Sequence, residues 1–509
     1  MLARVNSVAH IGLTSVSVEV EVDVAVKGFP SFNIVGLPNK AVEEAKERVK
    51  TAIVNTGCSF PDKKITINLA PADLNKEGSC YDLPIALGIL LASGEIALNN
   101  NLKKSLVYGE LSLDGTVRHT KGVLLVAIFA KTNGFKNVFV PKDSSQEAAV
   151  VDDIHVFPVN NLAGLIAHVT NNQKIKQQKK VKIENFMRAS VSEFDFSEIL
   201  GQEQAKRALT IAAAGSHNIL MSGPPGSGKT MLARALPSIL PPLTSREALE
   251  VTRIYSATGL LNPGDAILPS RPFRFPHHST SLVGLIGGGS KPMPGEISLA
   301  HLGVMFLDEM AEFPRSVMES MRQPMEDGKV VISRAAGRIE YPANFMLVAA
   351  VNPCACGFLN HPKRQCQCSL HQIERYKRRI SGPILDRIDL HINVPFVEAE
   401  KLEGTINSET SNVIRKKVIT ARQIQTARFA DFPEIHTNSQ MKNKHVKLFC
   451  PLNEEEKKLM KLAVEKHYLS TRSYFRIIKV ARTIADLQNE NNILLEHLAE
   501  ALQYRLRVF

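Results

Sequence analysis

The chain has 509 residues, 44% hydrophobic and 22% charged, which is ordinary for globular proteins and too long for one core, so roughly three domains are expected. The richest apolar stretch, LPIALGILLASGEIAL, is broken by Gly, Ser and Glu, short of the roughly 18–20 residues a membrane helix needs, and no membrane partner is expected. The net charge of +12 is uneven: residues 1–170 hold 16 Lys+Arg against 17 Asp+Glu, leaving 46 against 33 for the remainder, which points to a polyanion partner for the second part or to a basic face that only aids solubility.

In chain order, VSVEVEVDVAV at 16–26 alternates apolar and polar residues, which predicts a half-buried strand. KITINLA, SLVYGELSL and KNVFVP read as further strands, separated by helical patterns such as KAVEEAKERVKTAIVNT. Residues 1–168 are therefore expected to form an α+β domain. NNQKIKQQKKVKI at 171–183 holds five lysines and no acid, and 169–195 is expected to be a basic, solvated tether. From 196 to 397 helix, strand and Gly-rich loop alternate as in an α/β nucleotide domain, and 398–509 is helical in pattern.

GPPGSGKT spans Gly223, Pro224, Pro225, Gly226, Ser227, Gly228, Lys229 and Thr230, directly after an apolar strand and before a helical run. Glycines there let backbone N–H groups face phosphates, Lys229 brings charge to the β- and γ-phosphates of ATP, and Thr230 brings a hydroxyl to Mg²⁺. VMFLDEM, 304–310, predicts a buried strand that ends in Asp308, placed to hold the Mg²⁺ shell, and Glu309, placed to polarise water as a general base. NFMLVAAVN predicts a third strand, ending at Asn352, whose amide would orient that water.

Asn352 is followed by Cys354, Cys356, Cys366 and Cys368, as C-x-C, nine residues, C-x-C. Four thiols so close, in a chain whose first residues lack a signal-peptide core, point to a reducing cytoplasmic compartment and favour a structural tetrahedral Zn²⁺ over disulfides. Free thiols and a redox switch are the alternatives, and His361 or His371 could replace one thiol. Adjacent His277 and His278 should point in opposite directions from an extended segment, which favours packing or hydrogen bonding over metal binding.

Long runs of the chain resemble the magnesium-chelatase-like AAA+ ATPases of the YifB/ComM family: FPSFNIVGLPNKAVEEAKERV and INLAPADLNKEGSCYDLPIALGIL, then AKRALTIAAAGSHNILMSGPPGSGKTMLA, FRFPHHSTS, GGGSKPMPGEISLAHLGVMFLDEM, SGPILDRIDLHI and VARTIADL. The resemblance implies a multidomain α/β protein: a Lon-protease-like α+β N-terminal domain, an AAA+ phosphate-loop domain and a C-terminal helical lid. It implies a cytoplasmic homo-hexameric ring ATPase acting on single-stranded or branched DNA, with helicase or branch-migration activity as in natural transformation. The alternative is a chelatase-type ATPase that remodels a protein or metal-insertion partner without DNA. Arg387 in LDRID matches the arginine finger that acts on a neighbouring subunit's ATP, the competing reading being an ion pair with Asp386 or Asp389. Arg472 matches the lid's second sensor better than Arg476, against a plain solvated helix face. Two pore-facing insertions are implied, 284–296 and a hairpin within 326–341, giving Lys291, Lys329, Arg334 and Arg338 as DNA-backbone contacts; a purely structural hairpin is the other reading. The Lon nucleophile position falls on Cys80 or Ser79, but the matching base position falls near Leu124 with Lys121 about one turn away, so protease chemistry is not expected.

Overall fold

The computed structural model describes residues 2–505 apart from 98, 99, 191, 290, 291, 335, 336, 360, 362 and 398–408. The described residues form a mixed α/β protein of two compact units, one made of 1–187 with 244–269 and the other of 188–243 with 270–509.

The first unit is built on a seven-stranded mixed sheet: β1 (Leu2–Ile11), β2 (Thr14–Val24), β3 (Ser31–Val35), β4 (Lys64–Ala70), β5 (Ser105–Val107), β6 (Asn137–Pro141) and β7 (His155–Val159), in the order β3–β4–β2–β1–β5–β6–β7. The alternation expected at 16–26 is real: Val18, Val20, Val22 and Val24 are buried while Glu19, Glu21 and Asp23 face outward or to the rim. The apolar run that is too short for a membrane forms α2 (Asp82–Ser93), after α1 (Ala45–Asn55), and α2 buries every residue but Ser93. The helix Ser245–Thr258 also belongs to this unit although it lies within 196–397 in sequence. Its Ser256 hydroxyl donates to the buried Glu147 carboxylate, which also accepts Leu124 N–H at 2.8 Å, the first turn of α3 (Val123–Thr132). Burial pushes the Glu147 carboxyl up to about 7.

The lysine-rich 171–183 segment has no buried residue, and backbone groups within it bond elsewhere in the first unit. Gln178 N–H bonds Val156 O at 2.9 Å and Val181 N–H bonds Ala149 O at 3.0 Å, while Lys180 pairs with Asp152. Composition speaks of the side chains, which are largely exposed; backbone groups bond wherever partners are offered, whatever the side chains.

The second unit holds a five-stranded parallel sheet. Its strands are β8 (Ile219–Ser222), β9 (Phe273–Arg274), β10 (Val304–Leu307), β13 (Met346–Val351) and β14 (Leu390–Asn393); β11 (Lys329–Arg334) and β12 (Gly337–Pro342) form a separate antiparallel hairpin. The sheet order is β9–β10–β13–β8–β14. Val304–Leu307 and Met346–Val351 are buried throughout, as expected of a parallel sheet covered on both faces. Four helices make up much of the C-terminal region: Ser411–Arg428, Glu454–His467, Thr471–Leu487 and Leu495–Gln503. Their Ile414, Val418, Ile477, Ile484 and Leu498 share one apolar core with Ile219, Val304 and Val348 of the sheet.

Candidate nucleotide site and cysteine cluster

Neighbouring parallel strands deliver their outgoing loops to one sheet edge. In the register here Leu220, Ala349 and Leu307 lie side by side, so the loop after β8, Asn352 after β13 and Asp308–Glu309 after β10 emerge together. Gly226 and Gly228 take φ of +77° and +89°, a backbone other residues rarely adopt, before the helix Lys229–Ala235 begins.

Lys229 is buried, and its Nζ donates to Gly223 O at 2.7 Å, Pro224 O at 2.9 Å and Asn352 Oδ1 at 3.3 Å. Burial draws this lysine down to about 8, opposed by Asp308 and Glu309. Thr230 Oγ1 donates to Asp308 Oδ2 at 2.8 Å, and Asp308 Oδ1 accepts Glu309 N–H at 3.0 Å. The expected site residues of loop and strand ends thus meet in two adjoining hydrogen-bonded sets, Lys229 with Asn352 and Thr230 with Asp308 and Glu309. Glu309 itself sits in the left-handed region, φ 50° and ψ 45°, a conformation that costs a non-glycine residue of order 1 kcal/mol and clusters at functional sites.

His277 and His278 pack and hydrogen-bond as expected, His277 Nδ1 lying 2.8 Å from Ser279 Oγ, but they do not diverge: their ring centroids are 4.1 Å apart. The chain turns there, with Thr280 N–H on His277 O at 2.9 Å, so strand alternation does not apply. His278 Nδ1 lies 3.7 Å from Glu309 Oε2, a neighbour to the candidate base that sequence spacing did not reveal.

Arg387 pairs with neither Asp386 nor Asp389. It pairs with Glu326, on the short helix Arg322–Asp327, and donates Nη1 to Pro383 O at 2.9 Å. The same Glu326 accepts from Arg472 Nη2 at 2.8 Å, so one carboxylate holds both arginines. Asp386 instead faces Arg505 at 3.5 Å, and buried Asp389 takes Arg476 and Asn218 N–H, with His217 Nδ1 at 3.6 Å. Burial alone would raise the Asp389 carboxyl; Arg476 and His217 hold it well below the usual range.

Of the four residues named for DNA, Lys291 lies outside the described residues and Arg334 is described only in its backbone, as the last residue of β11. Lys329 and Arg338 are exposed on the hairpin, yet both reach Glu340, at 3.0 and 2.8 Å. An arginine group that sequence reading missed, Arg315, Arg375, Arg378 and Arg379, lines a cleft with Glu312 and Phe313; two of its members are answered in part by Glu374 and Glu312.

In the first unit Cys80 is buried and burial pushes its thiol up to about 12, while the Ser79 hydroxyl donates to Glu110. A thiol so raised stays protonated at neutral pH.

The four cysteines after Asn352 do converge, their Sγ atoms all lying within 4.8 Å of one another. His361 is not among them: its Nδ1 accepts Lys363 and Arg364 N–H. Hydrogen bonds from the Phe358 backbone, then that of Gln367, bring the Cys356 thiol down to about 6.

Three family descriptions match the chain in succession: Subunit ChlI of Mg-chelatase over residues 20–144, Magnesium chelatase, subunit ChlI over 195–402, and its C-terminal part over 408–505. The competence protein ComM of Haemophilus influenzae is 43% identical over 510 residues, covering 100% of this chain and 98% of that protein. YifB of Escherichia coli is 40% identical over 507 residues, 99% of this chain and 97% of its own length. The magnesium-chelatase 38 kDa subunit of Rhodobacter capsulatus is 30% identical over 179 residues, 31% of this chain and 50% of that protein. With relatives matched end to end and the phosphate loop, strand-end acids and Asn352 converging at one sheet edge, this chain belongs to the magnesium-chelatase-like AAA+ ATPases of the YifB/ComM family.

Proposed function

We propose that this protein is an ATP-driven ring motor that works on DNA, migrating branched or three-stranded junctions. The observation that carries the reading is the Lys229–Asn352 and Thr230–Asp308 pairing at the ends of three parallel strands. These donors suit a nucleotide triphosphate with Mg²⁺: Thr230 Oγ1 and Asp308 would hold the metal, which neutralises phosphate charge when bound. Lys229 would exchange loop carbonyls for phosphate oxygens. Glu309 would take a proton from the attacking water, with Asn352 orienting that water. Arg387 would reach a neighbouring subunit's nucleotide and Arg472 would sense it from the helical region, so a ring of identical chains, by kinship a hexamer, is required. The Lon-like scaffold proposed for the first unit would serve assembly or DNA entry.

Two observations support DNA as the partner. Residues 171–509 carry the whole positive excess of the chain, and the relative matched at 43% identity is named a competence protein. Lys329, Arg334, Arg338 and Lys291 would touch backbone phosphates, which requires DNA to displace Glu340 from Lys329 and Arg338. The local match to a magnesium-chelatase subunit favours the second reading, an ATPase that remodels a protein partner.

Displacement of a labelled strand from a synthetic four-way junction, with ATP and Mg²⁺, separates the two. The wild type is expected to displace it, and Glu309→Gln to bind ATP but lose about 10²–10⁴-fold in turnover, the usual share of a general base. ATP hydrolysis that is indifferent to DNA, with the junction left intact, would reject the motor and leave the remodelling reading.

A further inference from the structure

We propose that Cys354, Cys356, Cys366 and Cys368 bind one structural Zn²⁺ ion, and that the loop it closes braces the phosphate loop through Gly357 against Pro225. Sulfur separations are 3.4 Å for Cys354–Cys356, 3.7 Å for Cys354–Cys366 and 3.6 Å for Cys356–Cys366. Four sulfurs placed tetrahedrally about zinc at about 2.3 Å stand about 3.8 Å apart. Three of the thiols therefore already hold the spacing that the ion needs and the fourth, Cys368, lies within 4.8 Å of each, whereas a disulfide requires about 2.05 Å. Four-sulfur tetrahedral sites select zinc over the harder magnesium and calcium ions. Cys354 is fully buried and the other three are half-buried, so closing the site asks little further desolvation.

The connection to the nucleotide site is steric. Gly357 directly follows Cys356, with φ of +82°, and a Cβ built on it would lie 2.6 Å from Pro225 Cδ and 2.7 Å from Cγ. The cysteine loop thus lies against the ring of Pro225 with no space for a methyl group. At its other end Cys354 stands two residues after Asn352, which receives Lys229 Nζ. A metal that fixes this loop fixes both a wall of the phosphate loop and the strand end beside Lys229. The bracing part rests on the ATP reading; the metal site does not.

The test uses the purified full-length chain. Elemental analysis should give one zinc per chain, and alkylation followed by mass mapping should find the four cysteines protected until a chelator removes the metal. Zinc-free protein, kept reduced, should bind a fluorescent ATP analogue at least about tenfold more weakly, a loss of about 1.4 kcal/mol, and recover on addition of one equivalent of ZnCl₂. Gly357→Ala crowds Pro225 and strains a backbone of positive φ; it should lose affinity, and its retained zinc and thiol protection separate that loss from misfolding of the cysteine loop. Cysteines that are alkylated freely or found disulfide-linked, with no bound zinc, would overturn the site. Zinc present, but affinity indifferent both to its removal and to Gly357→Ala, would overturn the bracing. If zinc-loaded protein binds no nucleotide, the ATP reading and the bracing fall together, while the metal count still decides the site.

Discussion

Raising the pH from 7 to 9 should weaken nucleotide binding about tenfold, and the reason lies in one buried ammonium group. Lys229 is 8% exposed and burial draws it down to about 8. Phosphate oxygens beside it would return it toward the ordinary lysine value, to about 10. Binding then takes up a proton wherever the free protein has lost one, so affinity falls by a factor of (1 + 10^(pH−8))/(1 + 10^(pH−10)). That factor is about 1.1 at pH 7 and about 10 at pH 9. Stability of the nucleotide-free protein should move the other way. A lysine whose folded value lies below its unfolded one holds fewer protons when folded, so stability rises as the pH climbs from about 8 toward about 10.4. Fluorescent nucleotide titrations at pH 7, 8 and 9, at fixed Mg²⁺ and ionic strength, paired with thermal melts, read both trends. Lys229→Met should bind weakly at every pH with no slope. A wild-type affinity that is flat across this window, or the same slope in Lys229→Met, would refute the reasoning.

Glu147→Gln should stabilise the protein at pH 8 by about 3 kcal/mol, because a carboxyl raised to about 7 loses stability as the pH rises from its unfolded value through 7; urea unfolding should show the gain vanish below about pH 4. Asp389→Asn leaves Arg476 without its carboxylate and should cost about 3 kcal/mol in the same assay at pH 7. That cost should shrink in acid, since a carboxyl held low contributes stability only above its folded value. Arg387→Ala and Lys229→Met should each abolish ATP turnover, and mixing the two proteins should restore part of it if the arginine acts across a subunit boundary. No recovery on mixing would place Arg387 in its own chain's site.

The layout of the candidate nucleotide site was legible because its signals are local. An apolar strand followed at once by Gly-rich loop, acid pair or asparagine marks both the element and the residues that emerge at its end, and a parallel sheet gathers such strand ends whatever their spacing along the chain. The four thiols were legible for the same reason, with two pairs on one loop. What stayed hidden depends on distant partners. Glu326 joins Arg387 and Arg472 from 61 and 146 positions away, and nothing in the residues around it signals either. His277 and His278 pack as expected, but their proximity stayed hidden because alternation was assumed where the chain turns. The backbone bonds of the lysine-rich segment stayed hidden because composition reports side-chain solvation and is silent on backbone bonding.

The placement of the helix Ser245–Thr258 has a consequence for how the protein is made. The first unit begins at the N-terminus, yet Ala248, Val251, Ile254 and Tyr255, all buried, are supplied only after the phosphate loop has been translated. At about 5–20 residues per second, residues 188–269 take about 4–16 s to emerge. During that interval the nascent chain holds a sheet whose Glu147 has no Ser256 to bond it, with nucleotide-site segments hanging unfinished behind. Chaperone contacts during synthesis should therefore concentrate on that interval, and a truncation at Met187 should be less soluble than its near-neutral composition suggests.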